Sequence, residues 1–180
     1  PGAQCVDCHM ASRTYMGVDD RRDHSFRIPR PDLNHKTSSP DACTSCHMDQ
    51  TPEWAGEQIN GWNGNKIQPI HYGEVLNKVF LGEAGAEAQL KAMLVDEDIP
   101  VIIRGSAYSL LTSFPNENSA SLITQAVTSD EPLIRLGAVR GSEFIPLEMR
   151  LPIISPLLND EFKAVRVETV RALSGLNPST

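Results

Sequence analysis

Near the start of the chain five residues read Cys5-Val6-Asp7-Cys8-His9, and the same pattern returns as Cys43-Thr44-Ser45-Cys46-His47. These two CxxCH pentapeptides use all four cysteines of the 180-residue chain. In this motif the two thiols lie about one turn apart and form thioether bonds to haem, while the adjoining imidazole binds the iron. The sequence therefore predicts two covalently attached c-type haems. The predicted thioether residues are Cys5, Cys8, Cys43 and Cys46, and the predicted iron ligands on the attached side are His9 and His47.

Two other readings of the cysteine pairs are weaker. Paired CxxC units can bind one zinc ion through four thiolates, but the two pairs here are widely separated and zinc would leave both motif histidines without a role. A disulfide-stabilised domain is the third reading. Cysteines two residues apart form strained or redox-active bridges, which makes a purely structural disulfide framework the least favoured of the three.

Length, composition and charge limit the classes of protein that the chain can belong to. At 180 residues with 40% hydrophobic content it can bury a core of one domain or two small ones. Its formal net charge of -7, to which haem propionates would add, argues against a nucleic-acid partner. The longest apolar stretch, around Leu151 to Leu158, is broken by Pro152 and Pro156, so we expect no membrane span.

Composition changes near His71, so we predict two regions, residues 1–71 and residues 72–180. The first region holds every cysteine and histidine and both tryptophans, with many turn-forming residues, and we expect an irregular backbone packed around haem. One helix is predicted there, with Thr51 as N-cap and Pro52 at the first helical position. Its Trp54, Ile59 and Trp62 would face either a porphyrin or an ordinary core.

The second region contains an internal repeat of 31 residues. Arg104, Arg135 and Arg166 recur at this spacing, and each is followed three positions later by a small residue, which we expect to face inward: Ala107, Ala138 and Thr169. Acidic residues precede each copy and could cap a helix: Asp98, Asp130 and Asp160 with Glu161. Further amphipathic stretches lie at Ala84–Leu94, Ser119–Val127 and Glu148–Leu158.

This pattern predicts helix pairs stacked as a short α-solenoid, in which the repeated arginine bridges to acidic groups of the next unit. The spacing and the Arg-x-x-Ala signature resemble HEAT-like repeats. A generic helical bundle is the alternative. In either case the predicted fold class is mainly α, with a haem-packed N-terminal region followed by the helix pairs.

The whole chain resembles the bacterial multihaem c-type cytochromes in which paired CxxCH sites precede helical repeats. The resemblance is dense over residues 5–54, where the chain reads CVDCHM, RTYM, RRDHSFRIPRPDL and PDAC, and looser beyond, through HYGE and GAEA. It implies electron transfer with redox partner proteins such as other cytochromes. Because family members are commonly longer, with haem sites upstream, Pro1 is interpreted as an internal start or a processed terminus.

The remaining histidines supply candidates for the second axial position of each iron. We predict His24, which lies in the most family-like segment, and His71, which lies where the two regions meet. His35 sits in a polar loop and is expected to be solvent-exposed. Met16 is the best methionine alternative, whereas Met10 and Met48 directly follow the motif histidines and would have to reach the opposite haem face. Which distal ligand serves which haem stays open.

Five arginines interrupt the acidic chain ahead of the second motif: Arg13, Arg21, Arg22, Arg27 and Arg30. They could pair with haem propionates, for which arginine is geometrically suited, or form a docking face for an acidic partner. The alternative is local pairing with the neighbouring carboxylates of Asp19, Asp20, Asp23 and Asp32.

The leading functional interpretation is an electron-transfer module with two six-coordinate haems and a repeat surface that docks partners. A multihaem reductase with one exchangeable iron site is an alternative, and a repeat scaffold with structural haems is another. Because bacteria attach haem to this motif outside the cytoplasm, we expect an exported protein, periplasmic or extracellular. Whether the chain forms an oligomer or a complex stays open.

Overall fold

The computed structural model describes residues 4–64 and 69–174. The described chain is mainly helical, which confirms the prediction of a mainly α fold. It divides into two compact units, Pro1–Asn77 and Lys78–Thr180. The division falls within a helix that begins at Tyr72, directly after the boundary predicted from composition. No helix among the described residues combines the length and the apolar character that crossing a membrane requires.

The first unit contains short elements joined by long turns. They are α1 Cys5–His9, β1 Ser12–Tyr15, β2 Asp19–Arg22, a 3₁₀ turn Pro31–Leu33, α2 Asn34–Thr37, α3 Pro52–Trp62 and the first part of α4 Tyr72–Leu81.

The two strands correct the expectation of a wholly irregular backbone. β1 and β2 form an antiparallel hairpin whose register pairs Ser12 with Arg22 and Tyr15 with Asp19. Its turn has positive φ at Met16 (52°) and Gly17 (76°). Such turns match the natural twist of a hairpin. Every residue of both strands is exposed, so the hairpin has no apolar face of the kind that sequence patterns detect.

Helix α3 begins as predicted. The Thr51 hydroxyl oxygen accepts a hydrogen bond from the Trp54 N–H at 3.3 Å, and Pro52 is the first helical residue. Ala55 is buried, and the helix packs against the 3₁₀ turn, where Leu33 is buried too. Trp54 and Ile59 are half-buried, whereas Trp62 is exposed. The helix therefore presents part of its apolar side to solvent.

The second unit continues α4 and adds six helices with three short 3₁₀ turns over the described residues. The helices are α5 Ala86–Val95, α6 Val101–Ser109, α7 Glu117–Ala126, α8 Pro132–Gly141, α9 Leu147–Ile154 and α10 Lys163–Ser174. The 3₁₀ turns are Leu110–Ser113, Ser142–Phe144 and Ser155–Asn159.

The 31-residue period of the sequence is the period of these helices. α6, α8 and α10 begin at residues 101, 132 and 163, so the repeated arginine is the fourth residue of each. α5, α7 and α9 fall in the three amphipathic stretches between the copies. α8 packs against both α6 and α10. Ala107, Ala138 and Thr169 are all 0% exposed, which confirms that the small residue of each copy faces inward.

Helices α6 and α8 touch through their backbones. A Cβ atom added to Gly137 would lie 2.0 Å from the carbonyl oxygen of Gly105, and one added to Gly141 would lie 2.3 Å from that of Tyr108. Real Cβ atoms do not approach other atoms so closely. The absence of a side chain at these positions therefore sets the distance between the two helices.

The repeated arginine secures the loop ahead of its own helix. Arg135 Nη1 donates to the carbonyl oxygens of Ser129 and Asp130, and Arg166 Nη1 donates to those of Asp160 and Glu161, at the same sequence offsets. Arg135 also makes a bidentate pair with Asp160 of the next copy, at 2.6 and 3.0 Å, which is the bridge that the sequence predicted. This hydrogen bonding from Arg135 holds the pKa of Asp160 below its usual value.

The expected side-chain caps at Asp98 and Asp130 are wrong. The N-cap residues of α6 and α8 are Pro100 and Glu131, and neither makes a side-chain cap bond. A cap must directly precede the first helical residue, and both aspartates lie further upstream.

The contacts that Arg135 and Arg166 make do not extend fully to the first copy of the repeat, where Arg104 Nε is buried without a partner among the described residues.

Candidate functional site

The first CxxCH motif forms the five-residue helix α1. Cys5 and Cys8 are one turn apart and exposed, so their thiols are open to one ligand. A helix this short is not stable alone. Arg22 holds it from the hairpin, because its Nη1 donates to the carbonyl oxygens of Val6 (3.0 Å) and Met10 (3.2 Å) and its Nη2 to Asp7 (3.1 Å).

His9 is fixed by the segment that follows the hairpin. Its Nδ1 lies 2.8 Å from the carbonyl oxygen of Arg27, and the Arg27 N–H donates to the His9 carbonyl oxygen at 3.0 Å. Because a carbonyl oxygen only accepts, the imidazole proton is on Nδ1. The neutral ring therefore keeps its lone pair on Nε2, the form in which a histidine binds a metal through that atom.

The second motif forms a single helical turn. The N–H groups of Cys46 and His47 both donate to the Cys43 carbonyl oxygen, at 3.1 and 2.9 Å. Asp41 caps this turn: its Oδ1 accepts from the N–H groups of Cys43 (2.8 Å) and Thr44 (2.9 Å), and its Oδ2 accepts from the Thr44 hydroxyl (2.7 Å). The Asp41 carboxylate thus stabilises the first residues of the turn.

Cys43 is half-buried, whereas Cys5, Cys8 and Cys46 are exposed. Burial raises the pKa of the Cys43 thiol, and the Asp41 carboxylate and the thiols of Cys8 and Cys46 raise it further. All four cysteines are free thiols, so none forms a disulfide.

His71 has a structural task at the start of α4. Its Nδ1 accepts a hydrogen bond from the Gly73 N–H at 3.1 Å, and the Glu74 carboxylate accepts from the His71 N–H at 3.3 Å. These reciprocal contacts resemble a capping box. Burial lowers the pKa of His71, and the charge of Arg30 adds to this effect. With Nδ1 accepting, the neutral ring carries its proton on Nε2, so His71 must release this cap before Nε2 can bind iron.

The other distal candidates lie on exposed turns and helices. His24 is exposed in the turn that follows β2, beside Asp23, whose pKa is lowered chiefly by its hydrogen bonds from Ser25. His35 is exposed, as expected, with Nδ1 3.9 Å from a Glu53 carboxylate oxygen. Met16 is 80% exposed at the hairpin tip. The described contacts therefore bring neither His24 nor Met16 to a motif histidine.

The arginines ahead of the second motif pair mostly with neighbouring carboxylates. Arg21 pairs with Asp19, Arg27 with Asp23 and Arg30 with Asp32, which is the local alternative that the sequence left open. Arg22 pairs instead with Asp7 of the first motif, and Arg13 makes no ion pair within the described residues.

The first unit buries few apolar side chains and leaves many large ones exposed. Within its described residues the buried apolar side chains are few: Pro31, Leu33, Ala55 and Val75. Many larger ones are exposed: Tyr15, Met16, Val18, Phe26, Ile28, Met48, Trp62 and Ile70. The second unit also exposes large apolar side chains, among them Phe80, Met149 and Phe162, so the distinguishing feature of the first unit is its small number of buried ones. Free thiols in two pairs, and a histidine hydrogen-bonded through Nδ1, are the kinds of protein group that covalent haem attachment requires.

Sequence reasoning missed Arg22 and Asp41 as supports of the motifs. Asp41 carried a readable signal, since an aspartate shortly before a one-turn segment with threonine three positions later is a capping pattern. Arg22 carried none, because its contact depends on the register of a hairpin that the sequence did not predict.

The described residues contain no group of three or more His, Cys, Asp or Glu side chains arranged to hold a metal ion. Comparison of the chain with protein-family models, with curated proteins and with solved structures finds no match.

Proposed function

We propose that this chain binds two c-type haems covalently and serves as an electron-transfer module. The observation that carries the proposal is the first motif, where two exposed thiols one turn apart accompany a histidine whose Nε2 is free to bind a metal. Bound haem iron supplies one-electron chemistry by changing between ferric and ferrous states. The chain's own part is to hold that group and to shield it from water.

On this proposal, different residues attach the haems, bind the irons and support the two motifs. Cys5 and Cys8 would hold one haem and Cys43 and Cys46 the other, with His9 and His47 as axial ligands. Arg22 and Asp41 keep the two pentapeptides helical, and the exposed apolar side chains of the first unit would cover the porphyrins. His24 and His71 remain our proposed distal ligands, and His71 would have to give up its hydrogen bond from the Gly73 N–H to bind iron.

We further propose that the helical unit is a HEAT-like solenoid that docks redox partner proteins such as other cytochromes. Support comes from helices that start 31 residues apart and from the Arg135–Asp160 pair that links consecutive copies. On this proposal the protein is a bacterial multihaem cytochrome, exported to the periplasm or beyond.

The test of haem binding is intact-mass measurement after expression in a host that matures c-type haem. We expect a mass increased by two haem groups, and by one group in a Cys43→Ala/Cys46→Ala variant. A Ser45→Ala variant is the matched control, because Ser45 is exposed within the second motif and carries no thiol. Bare polypeptide, or polypeptide with zinc, would contradict the proposal.

One observation favours a second candidate function, a reductase with an exchangeable iron site. His71 already caps α4 through Nδ1, so one iron could lack a strong distal ligand. Carbon monoxide added to the reduced protein separates the two functions, because only an open or weakly held site changes its spectrum. Redox titration tests the scaffold alternative, since haems that do not change oxidation state reversibly would favour a structural role.

A further inference from the structure

Two consecutive residues, Phe26 and Arg27, make three contacts with His9. The Phe26 ring stacks on the imidazole, with ring centroids 5.0 Å apart and planes 9° from parallel. The backbone of Arg27 meets His9 twice: its carbonyl oxygen accepts from Nδ1 and its N–H donates to the His9 carbonyl oxygen. We name Phe26 and Arg27 together the His9 clamp.

Phe26, the first residue of the clamp, has a backbone conformation that is unfavourable for a phenylalanine. Phe26 has φ of 46°, in the left-handed region that bulky residues avoid. Phe26 is 58% exposed, so burial of apolar surface does not explain this conformation. Such conformations persist where surrounding contacts impose them, and they concentrate at ligand clamps. Here the Arg27 side chain is anchored to Ser25 at 2.9 Å and lies 3.4 Å from the Tyr72 hydroxyl.

The second motif has no equivalent of the clamp. Within the described chain the His47 ring contacts the Trp54 ring, 5.1 Å away and tilted by 52°, and makes no hydrogen bond. Its tautomer is therefore not imposed by a described neighbour. The two CxxCH motifs look equivalent in sequence, but their histidines are held differently.

We propose that the His9 clamp makes the two haem sites inequivalent, by fixing His9 in the Nδ1–H tautomer and raising its basicity as an iron ligand. A hydrogen bond from the second ring nitrogen orients a ligating histidine and strengthens its donation to the metal. Stronger donation stabilises the ferric state, so the site at His9 has the lower midpoint potential. This inference rests on the proposed function, because it concerns sites that bind haem.

The first arm of the test uses the full chain before haem attachment. At pH 8, where imidazoles are neutral, ¹⁵N spectra of labelled histidine distinguish the two tautomers, and His9→Gln and His47→Gln variants assign the signals. We expect His9 to be protonated on Nδ1 alone and His47 to populate both nitrogens. Phe26→Ala should return His9 to a mixture, whereas Phe26→Tyr, which keeps the stacking ring, should preserve the single tautomer.

The second arm uses haem-loaded protein with one site at a time. Potentiometric titration of the Cys43→Ala/Cys46→Ala and Cys5→Ala/Cys8→Ala variants should give a lower midpoint for the site at His9. Phe26→Ala should raise that midpoint and leave the other unchanged, and Phe26→Tyr should restore it. Asn60→Ala is the matched control, because Asn60 is exposed on α3 of the same unit and makes none of the clamp contacts.

Equal midpoints, a higher value at His9, or no response to Phe26→Ala in either arm would overturn the inference. If intact mass shows that no haem attaches to either motif, the proposed function fails instead, and the tautomer spectra still decide whether the clamp holds His9.

Discussion

Replacing Gly137 with alanine should weaken the helical unit strongly, although alanine is the better helix former. Gly137 lies inside α8 at the point where its backbone meets α6. The added methyl group would stand 2.0 Å from the Gly105 carbonyl oxygen and 2.8 Å from its carbonyl carbon. Because both atoms belong to the backbone, no side chain can rotate away to make room.

The size of the effect follows from two opposing terms. Glycine to alanine in a helix interior gains about 1 kcal/mol of stability, and an overpacked contact typically costs about 1 to 3 kcal/mol. An ordinary contact between carbon and oxygen is about 3.3 Å long, whereas the added methyl group would lie 2.0 Å from the Gly105 carbonyl oxygen. Helices α6 and α8 would therefore have to move apart by roughly 1 Å. We therefore take the upper end of the cost, which gives a net loss of about 2 kcal/mol and a melting temperature about 10 °C lower.

The assay is urea unfolding followed by far-UV circular dichroism. Ser106→Ala is the control within the same unit, because Ser106 is exposed on α6, and a change within about 0.5 kcal/mol is expected. Gly61→Ala is the control for the chemistry, because a Cβ there meets no atom within 4 Å and the variant should gain about 0.5 to 1 kcal/mol. If Gly137→Ala is as harmless as either control, α6 and α8 do not touch through their backbones.

Three further predictions concern the core, an ion pair and the irons. Ala138→Leu should destabilise the helical unit by about 1 to 3 kcal/mol with the haem spectrum unchanged, and a neutral result in thermal unfolding would contradict the inward position of Ala138. Asp160→Asn should cost about 1 to 3 kcal/mol because the amide cannot replace the carboxylate that makes the bidentate pair with Arg135. The folded-state pKa of Asp160 is lowered, so the pair stabilises the fold above about pH 4 and this stabilisation is lost as the pH falls further. The parent should therefore lose stability in acid, whereas the stability of the variant should depend less on pH in that range. His24→Ala and His71→Ala should each convert one haem to a high-spin form that binds carbon monoxide, with covalent attachment intact, and an unchanged spectrum in either variant would remove that residue as a ligand.

Local signals in the sequence predicted much of this structure. The Thr51 cap and Pro52 start of α3 depend on residues within one turn. The 31-residue spacing predicted where α6, α8 and α10 lie, because each copy repeats the same local pattern. The inward position of Ala138 followed from that spacing, since helical periodicity fixes which residues share a face.

Features that depend on contacts between distant residues were not predictable. The β1–β2 hairpin has no alternation of apolar and polar residues, and β2 reads Asp-Asp-Arg-Arg, so nothing marks it as a strand. The capping role of His71 was hidden because histidine is not a common cap residue. The contact between Arg27 and His9 needs a left-handed Phe26, a conformation that the sequence gives no reason to expect.

The arginines of this chain differ widely in exposure, and a protease would treat the exposed and the buried ones differently. Those of the hairpin, such as Arg13 and Arg21, are exposed on a short two-stranded ribbon, whereas Arg135 and Arg150 of the helical unit are only 8% exposed. A protease needs several residues of extended, accessible backbone, which loosely packed segments supply by local opening. Limited trypsin digestion should therefore cut after Arg13 or Arg21 before it cuts after Arg135 or Arg150.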